Sequence, residues 1–414
     1  MDQARRLCLH IPVPASRPGS AADFSRLQVP PAGAARRPGV EEQASSFRDL
    51  AFTLIRVLDD RGVALGPWNP CLSAEVLRAG LRAMLLTRAF DERMFRAQRQ
   101  GKTSFYIKCS GEEAIACAQA MVLERDDMCF TSYRQQGVLL TRGCPPVDMM
   151  NQIYSNARDP LKGHQLPVLY SARDYGFFTL SGNVATQYCQ AVGWAMGSAY
   201  RGDSRIAAAW IGEGSTAEGD FHHALTFAAV YRAPVVLNIV NNQWAISSFQ
   251  GIAGGEETTF AARAIGYGLP ALRVDGNDFL AVFAATSWAV ERARANLGAS
   301  VIELYTYRAE GHSTSDDPSK YRPADEARHW PLGDPIQRLR KHLMVQEQLT
   351  EVQFETMTQE VAEQVRAAAK EADAIGTLGK SRPEPAVMFE DVFKGADWRL
   401  QQQRRELESW TSQP

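Results

Sequence analysis

Between positions 73 and 100 the apolar residues Val76, Leu77, Leu81, Met84, Leu85, Phe90 and Phe95 recur at three- to four-residue intervals, the spacing that lines one face of a helix. Ser73 stands where an N-cap oxygen would accept the first free amides, and Gly101 stands where the helix would stop. The segment therefore predicts an amphipathic helix or a pair of them. Further along, the period changes. Dense apolar runs at 205–211 (RIAAAWI), 235–240 (VVLNIV) and 301–307 (VIELYTY) predict buried strands, and 220–232 and 279–296 between them predict helices. Strand, helix and strand in this rhythm make the fold class α/β, with a doubly wound parallel sheet. Ligands of such sheets sit outside the carboxyl ends of the strands, so chemistry is expected just after Ile211, Val240 and Tyr307.

The two ends of the chain differ from this middle. Residues 1–46 meet Pro or Gly every few positions (IPVPASRPGS, VPPAGAARRPG), which prevents regular structure and predicts an extended arm that docks on something else. The charged stretch 351–374 predicts a solvated helix. Three regions follow: an N-terminal arm over 1–70, an α/β domain over 71–345, and a helical C-terminal region with a tail over 346–414.

Composition narrows the function. With 414 residues, 45% hydrophobic, the chain can bury a large core. Its 45 Lys and Arg against 47 acids leave a net charge of −2, which excludes the basic field that nucleic acid or an anionic membrane requires. The seven cysteines (8, 71, 109, 117, 129, 144 and 189) are odd in number and never spaced C-x-x-C, arguing against a disulfide framework or a zinc site. No apolar run reaches the roughly 18 to 20 residues of a membrane span. Asp2, Asp23, Glu41 and Glu42 sit where a mitochondrial transit peptide would be poor in acids, so a cytoplasmic location is expected, with the mitochondrial matrix as the alternative.

The candidate chemistry lies at the expected strand ends. Gly212-Glu213-Gly214-Ser215 follows the first strand, Asn241-Asn242-Gln243-Trp244 follows the second, and 26 residues separate Gly214 from Asn241, the length of one helix and one strand. Both turns therefore fall side by side. Mg²⁺ takes about six hard oxygen ligands, usually one or two from the protein together with phosphate oxygens. Glu213 offers a carboxylate, Asn242 an amide oxygen, and the backbone near Trp244 a carbonyl. Gly212 and Gly214 let the backbone approach a diphosphate, which the following helix N-terminus favours. An acid between two glycines, followed one βα unit later by paired asparagines, resembles the thiamine-diphosphate signature.

The resemblance extends over about 105–340, through SFYIKCSGEEA, FTSYRQQGVLLTRG, TLSGNVATQ, GEGSTAEGDFHHALTFAAVYRAPVVLNIVNNQWAIS and YRAEGHSTSDDPSKYRPADE in order. In these blocks the chain resembles the α subunit of the branched-chain 2-oxo acid dehydrogenase decarboxylating component, bacterial type. That implies the thiamine-diphosphate-binding fold of diphosphate-binding type. It also implies cofactor contacts from Tyr133, Arg134, Gly182, Val184, Gly212, Glu213, Gly214, Ser215, Asn242 and His312, with Mg²⁺ on Glu213, Asn242 and the Trp244 carbonyl. His312 falls on the family's catalytic histidine for acyl transfer to a lipoyl group, and Ser313 on a loop phosphorylated in mitochondrial relatives. Ser181, Asn183, Thr186 and Gln187 match a K⁺ site. Two positions depart from the family: Asn183 stands where Pro is frequent, and Val240 replaces an arginine that contacts the diphosphate.

Glu112 and Glu113 match supporting polar residues and stay outside the catalytic set. His222 and His223, about 100° apart on a helix, cannot readily chelate one ion together. Thiamine catalysis also needs a carboxylate against the pyrimidine, which the resemblance assigns to a β subunit in an α₂β₂ assembly. The implied reaction is decarboxylation of a branched-chain 2-oxo acid with acyl transfer to a lipoyl-bearing acyltransferase. Two alternatives within the class are pyruvate or acetoin dehydrogenase α subunits. Outside it stand a nucleotide-binding Rossmann protein, against which Ala217 takes the third glycine's place, and a non-catalytic scaffold.

Overall fold

The computed structural model describes residues 9–378, 380, 384–391 and 393–411. Asp2 and Cys8 lie outside the described residues, as does the end of the tail. Among the described residues there are eight strands, β1 (Leu54–Ile55), β2 (Met128–Phe130), β3 (Ala207–Gly212), β4 (Val235–Asn241), β5 (Trp244–Ala245), β6 (Ser248–Phe249), β7 (Ala271–Asp275) and β8 (Ser300–Tyr305). The helices are α1 (Arg48–Phe52), α2 (Ala74–Arg99), α3 (Glu113–Val122), α4 (Gln136–Thr141), α5 (Pro146–Tyr154), α6 (Thr186–Arg201), α7 (Gly219–Tyr231), α8 (Ala262–Ile265), α9 (Phe279–Arg294), α10 (Pro335–Val345), α11 (Glu351–Ile375) and α12 (Trp398–Thr411).

Six strands form one sheet in the order β1-β7-β8-β4-β3-β2, and every pairing is parallel. The three strands predicted from sequence lie at its centre. Alternate side chains feed opposite faces, as the pleat requires. From β3, Ala208 and Trp210 enter the core shared with α2, α3 and α9, while Ala207, Ala209 and Ile211 enter the core shared with α6 and α7. Burial on both faces is why these strands read as continuous apolar runs rather than as an alternation. The polar Asn238 in the middle of β4 is satisfied: its amide donates to the Ala209 carbonyl at 3.0 Å and its oxygen accepts from Gln119 at 2.6 Å.

The segment 73–100 is one helix rather than two, and Ser73 caps it by accepting the Val76 amide at 3.4 Å. One terminal expectation needs correction and another gains detail. The stretch 351–374 is not simply solvated, because α11 buries Val361, Val365, Ala369 and Ala372 against α2 and α5. Asp373 on that helix pairs with Arg93 at 3.1 Å and Lys102 at 2.6 Å. The arm has little regular structure, as its Pro and Gly content dictates, yet it docks on its own chain. Phe24 packs edge-on against Trp330 at 5.3 Å and Tyr307 at 6.0 Å, and the indoles of Trp68 and Trp288 donate to the carbonyls of Arg36 and Pro38. The six cysteines among the described residues are free. No described helix is long and apolar enough to cross a membrane.

Gly80 shows how tightly α2 meets α9. A Cβ there would stand 2.3 Å from the ring tip of Phe279, which is wholly buried. Alanine would gain about 1 kcal/mol of helix propensity, whereas overpacking a filled core costs about 1–3 kcal/mol. Gly80→Ala should therefore lower the midpoint of urea unfolding, and Phe279→Leu in the same chain should restore part of the loss. A Gly80→Ala chain more stable than the parent would show that the contact yields freely.

Candidate active site

Parallel pairing of β3 with β4 sets Gly212 opposite Val240, so Glu213 and Asn242 leave the sheet side by side. The turn after β4 is sharp. Gln243 adopts φ 76°, a left-handed conformation unfavourable for a residue with a side chain, and its amide holds it there with bonds to Asn241 Oδ1 at 3.2 Å and the Thr306 carbonyl at 3.2 Å. Beyond β8 the chain continues alongside this turn, since Thr306 donates to the Asn241 carbonyl at 2.9 Å and Arg308 to the Asn242 carbonyl at 3.2 Å. That continuation delivers Arg308 and then His312.

These ends enclose a cavity of about 250 Å³ lined by Glu112, Tyr133, Arg134, Ser181, Gly182, Asn183, Val184, Gln187, Gly212, Glu213, Gly214, Ser215, Val240, Asn242, Trp244 and His312, among others. Every site residue expected from sequence lines it except Thr186, whose hydroxyl donates to Asp220 at 3.4 Å. Of the K⁺ set, Ser181, Asn183 and Gln187 reach the cavity. Gln187 donates to the Trp210 carbonyl at 2.9 Å and leaves Oε1 buried without a partner. Gly182, Asn183 and Val184 are exposed. His222 lies elsewhere and bonds the Tyr267 hydroxyl at 2.6 Å.

Glu213 is buried, with Oε2 accepting the Asn242 backbone N–H at 3.4 Å and Oε1 having no protein partner. Burial pushes its carboxyl up to about 7, and neighbouring Glu112 adds to the rise. The Asn242 oxygen accepts from the Trp244 amide at 3.3 Å, and the Trp244 carbonyl accepts from Arg308 Nη1 at 2.8 Å, each oxygen keeping a lone pair. A Cβ on Gly214 would stand 2.5 Å from that of Ala245, while one on Gly212 would meet only open space. An orphaned carboxylate oxygen, two further oxygens and an unobstructed glycine backbone fit a hard cation carrying phosphate. Among the described residues no cluster of three His, Cys, Asp or Glu side chains could hold a metal, so such a cation would depend on phosphate oxygens to fill its shell.

Arg134 is buried and donates to the carbonyls of Lys108 and His312. Its Nη2 also lies 3.3 Å from His312 Nδ1. A guanidinium can only donate, so Nδ1 accepts and the His312 proton sits on Nε2. Tyr133 stands edge-on to the imidazole at 5.7 Å. Burial, then Arg134 and Arg308, lower His312 to about 4, so it is neutral at pH 7.

Sequence reasoning left Glu112 among the supporting polar residues, outside the site. Its carboxylate accepts from Asn242 Nδ2 at 2.7 Å and lies 3.5 Å from Arg134 Nε, and burial pushes it up to about 7. The neighbouring Glu113 turns away to Arg88 at 2.7 Å and the Gly111 amide at 2.9 Å. The signal available was the start of α3, where adjacent side chains diverge by about 100°, so only one of the pair could face a site.

The family model for Dehydrogenase E1 component matches residues 81–380. The chain belongs to the dehydrogenase E1 component family. A second model, 2-oxoisovalerate dehydrogenase E1 alpha subunit N terminal, matches residues 5–45, so the arm of this E1 chain is itself a family feature. Among its relatives, the 2-oxoisovalerate dehydrogenase subunit alpha of Pseudomonas aeruginosa is 59% identical over 408 residues, covering 98% of this chain and 100% of the relative. The mitochondrial subunit alpha of Mus musculus is 38% identical over 359 residues, or 86% and 79%. The mitochondrial subunit alpha 1 of Arabidopsis thaliana is 41% identical over 293 residues, or 69% and 61%. E1 enzymes depend on thiamine diphosphate in general, and the E1 assignment removes the Rossmann and scaffold alternatives.

His312 gives this E1 chain a measurable signature. Its pKa is lower folded than unfolded, so the unfolded chain takes up the proton first, and stability falls as pH drops from about 6.5 towards 4. In NMR of histidine-labelled chain its midpoint should lie well below the ordinary value, and Arg134→Met should move it upward. An unshifted midpoint in both proteins would remove Arg134 as a cause.

Proposed function

We propose that this chain is the thiamine-diphosphate-binding α subunit of a branched-chain 2-oxo acid dehydrogenase, completed by a β subunit in an α₂β₂ assembly and passing its acyl product to a lipoyl-bearing acyltransferase. The observation that carries the reading is the orphaned Glu213 oxygen beside Asn242 in a cavity that also holds Arg134 and His312. Glu213, Asn242 and the Trp244 carbonyl would hold Mg²⁺. Arg134, Tyr133 and the backbone of Gly212, Gly214 and Ser215 would bind the diphosphate, with Arg134 as its charged donor. Gly182 and Val184 would support the bent cofactor, and Ser181, Asn183, Thr186 and Gln187 are the residues for K⁺.

Thiamine diphosphate, when bound, would supply the nucleophilic carbon and the electron sink that decarboxylation of a 2-oxo acid needs. His312, neutral with its proton on Nε2, offers a donor to an oxygen or sulfur of the reacting groups. Its bond from Arg134 keeps Nδ1 occupied and so fixes that tautomer. Both lining carboxylates, Glu112 and Glu213, are engaged with Asn242, which supports assigning the pyrimidine's carboxylate to the partner chain. The exposed Gly182, Asn183 and Val184 give that partner an open side to close. A branched-chain substrate follows the names of the relatives, and a cytoplasmic location follows the bacterial one.

The test is to co-express the chain with its β partner and compare kcat/KM for 3-methyl-2-oxobutanoate, 4-methyl-2-oxopentanoate and pyruvate. The branched acids should be preferred by at least roughly 10-fold, since a single methylene in an apolar pocket is already worth roughly 10 to 200-fold. A preference for pyruvate would replace the substrate with that of the alternative class. Decarboxylation by the α chain alone would sink the shared site.

A further inference from the structure

We propose that Glu112 is a positioning residue that orients the Asn242 amide towards the cation and ties it to Arg134; the inference rests on the functional reading above. The oxygen and nitrogen ends of an asparagine amide are nearly the same size, so hydrogen-bond partners decide which end faces where. Asn242 has two such partners. The Trp244 backbone N–H can only donate, and it meets Oδ1 at 3.3 Å; the Glu112 oxygen accepts from Nδ2 at 2.7 Å. Both demand the same orientation, with the nitrogen end on Glu112 and the oxygen end on the turn that carries Trp244. The shorter bond, made to a carboxylate, is the stronger of the two, so Glu112 does most of the holding.

A purely structural role accounts poorly for this side chain. Glu112 occupies the N-cap of α3 yet its carboxylate makes no capping bond. Glu113 and Asn277 secure the preceding turn instead, at the Gly111 amide and carbonyl respectively. Both polar partners of Glu112, Asn242 and Arg134, line the cavity. The same carboxylate oxygen touches both, Arg134 Nε lying at 3.5 Å. It therefore joins the group expected to contact the cation to the group expected to contact the diphosphate, and it sets their spacing.

The test uses the assembled α₂β₂ complex and titrates Mg²⁺ at fixed thiamine diphosphate, following binding by calorimetry or tryptophan fluorescence rather than turnover. Glu112→Ala should raise the half-saturating Mg²⁺ concentration roughly 10 to 100-fold, the usual effect of removing a residue that orients a ligand. Glu112→Gln keeps an acceptor within reach of Asn242 and should recover most of that loss. Glu112→Asp keeps the charge but shortens the reach, and should resemble alanine. Thermal unfolding of the cofactor-free complexes should differ far less than the Mg²⁺ response. If Glu112→Ala does not assemble, the contrast between Gln and Asp decides alone. Coincident titrations for wild type and the variants, or Asp matching wild type while Gln does not, would overturn the positioning role. Wild-type complex that binds thiamine diphosphate without regard to Mg²⁺ would overturn the functional reading and this inference with it.

Discussion

Register between two parallel strands governs the site. With Gly212 paired to Val240 and Asn241 to Tyr305, three chain segments leave the sheet at one level. A slip of one residue would exchange the faces of every side chain on the strand, moving Trp210 out of one core and Ile211 out of the other. Burial on both faces therefore specifies the register, and the register places Glu213, Asn242 and the chain leading to His312. The strained turn at Gln243 depends on the same arrangement. A left-handed non-glycine residue costs of order 1–3 kcal/mol, and here its side-chain amide, bonded to Asn241 and Thr306, offsets that cost.

Charge in the cavity is finely divided. Two carboxylates and one guanidinium are buried together beside a neutral imidazole, and burial raises both acids to about 7 while lowering His312 to about 4. Each shift opposes the charged form of its group, as desolvation requires. Such a site is poised for charged ligands of both signs. A divalent cation would favour ionised Glu213, and an anionic phosphate would relieve the repulsion that Arg134 and Arg308 exert on His312. Perturbed groups of this kind, gathered in one cavity, are what functional sites concentrate.

Much of this was legible in the sequence because it is local. Strands buried on both faces announce themselves as apolar runs, and the glycine-flanked acid and paired asparagines fall at strand ends that those runs define. The edge strands β1 and β2 and strand β7 were not legible, since two to five residues carry too little periodicity. The docking of α11 was hidden by its charges: Val361, Val365, Ala369 and Ala372 are a thin stripe among many polar positions. The arm's partners were equally out of reach, because Phe24 meets Trp330 across roughly three hundred residues of chain. Glu112 stayed outside the expected site for the same reason: its contact with Asn242 spans 130 positions, and no local pattern records such a pairing.

Val240 sharpens the consequence of that contact. The resemblance leads to an arginine at this position, but the valine here is buried and packs into the core on the α2 and α9 side of the sheet. Of the cavity-lining groups only Arg134 carries a positive charge at neutral pH, since His312 is neutral, and Arg308 spends its donors on the carbonyls of Trp244 and Ile246. An anion entering the cavity must therefore depend chiefly on one guanidinium. The orientation of Arg134 then matters more than it would in a site with two arginines, and three neighbours hold it: the Lys108 carbonyl, His312 and Glu112. A carboxylate that also fixes Asn242 is thus the natural place for the cation and anion halves of the site to be adjusted to one another.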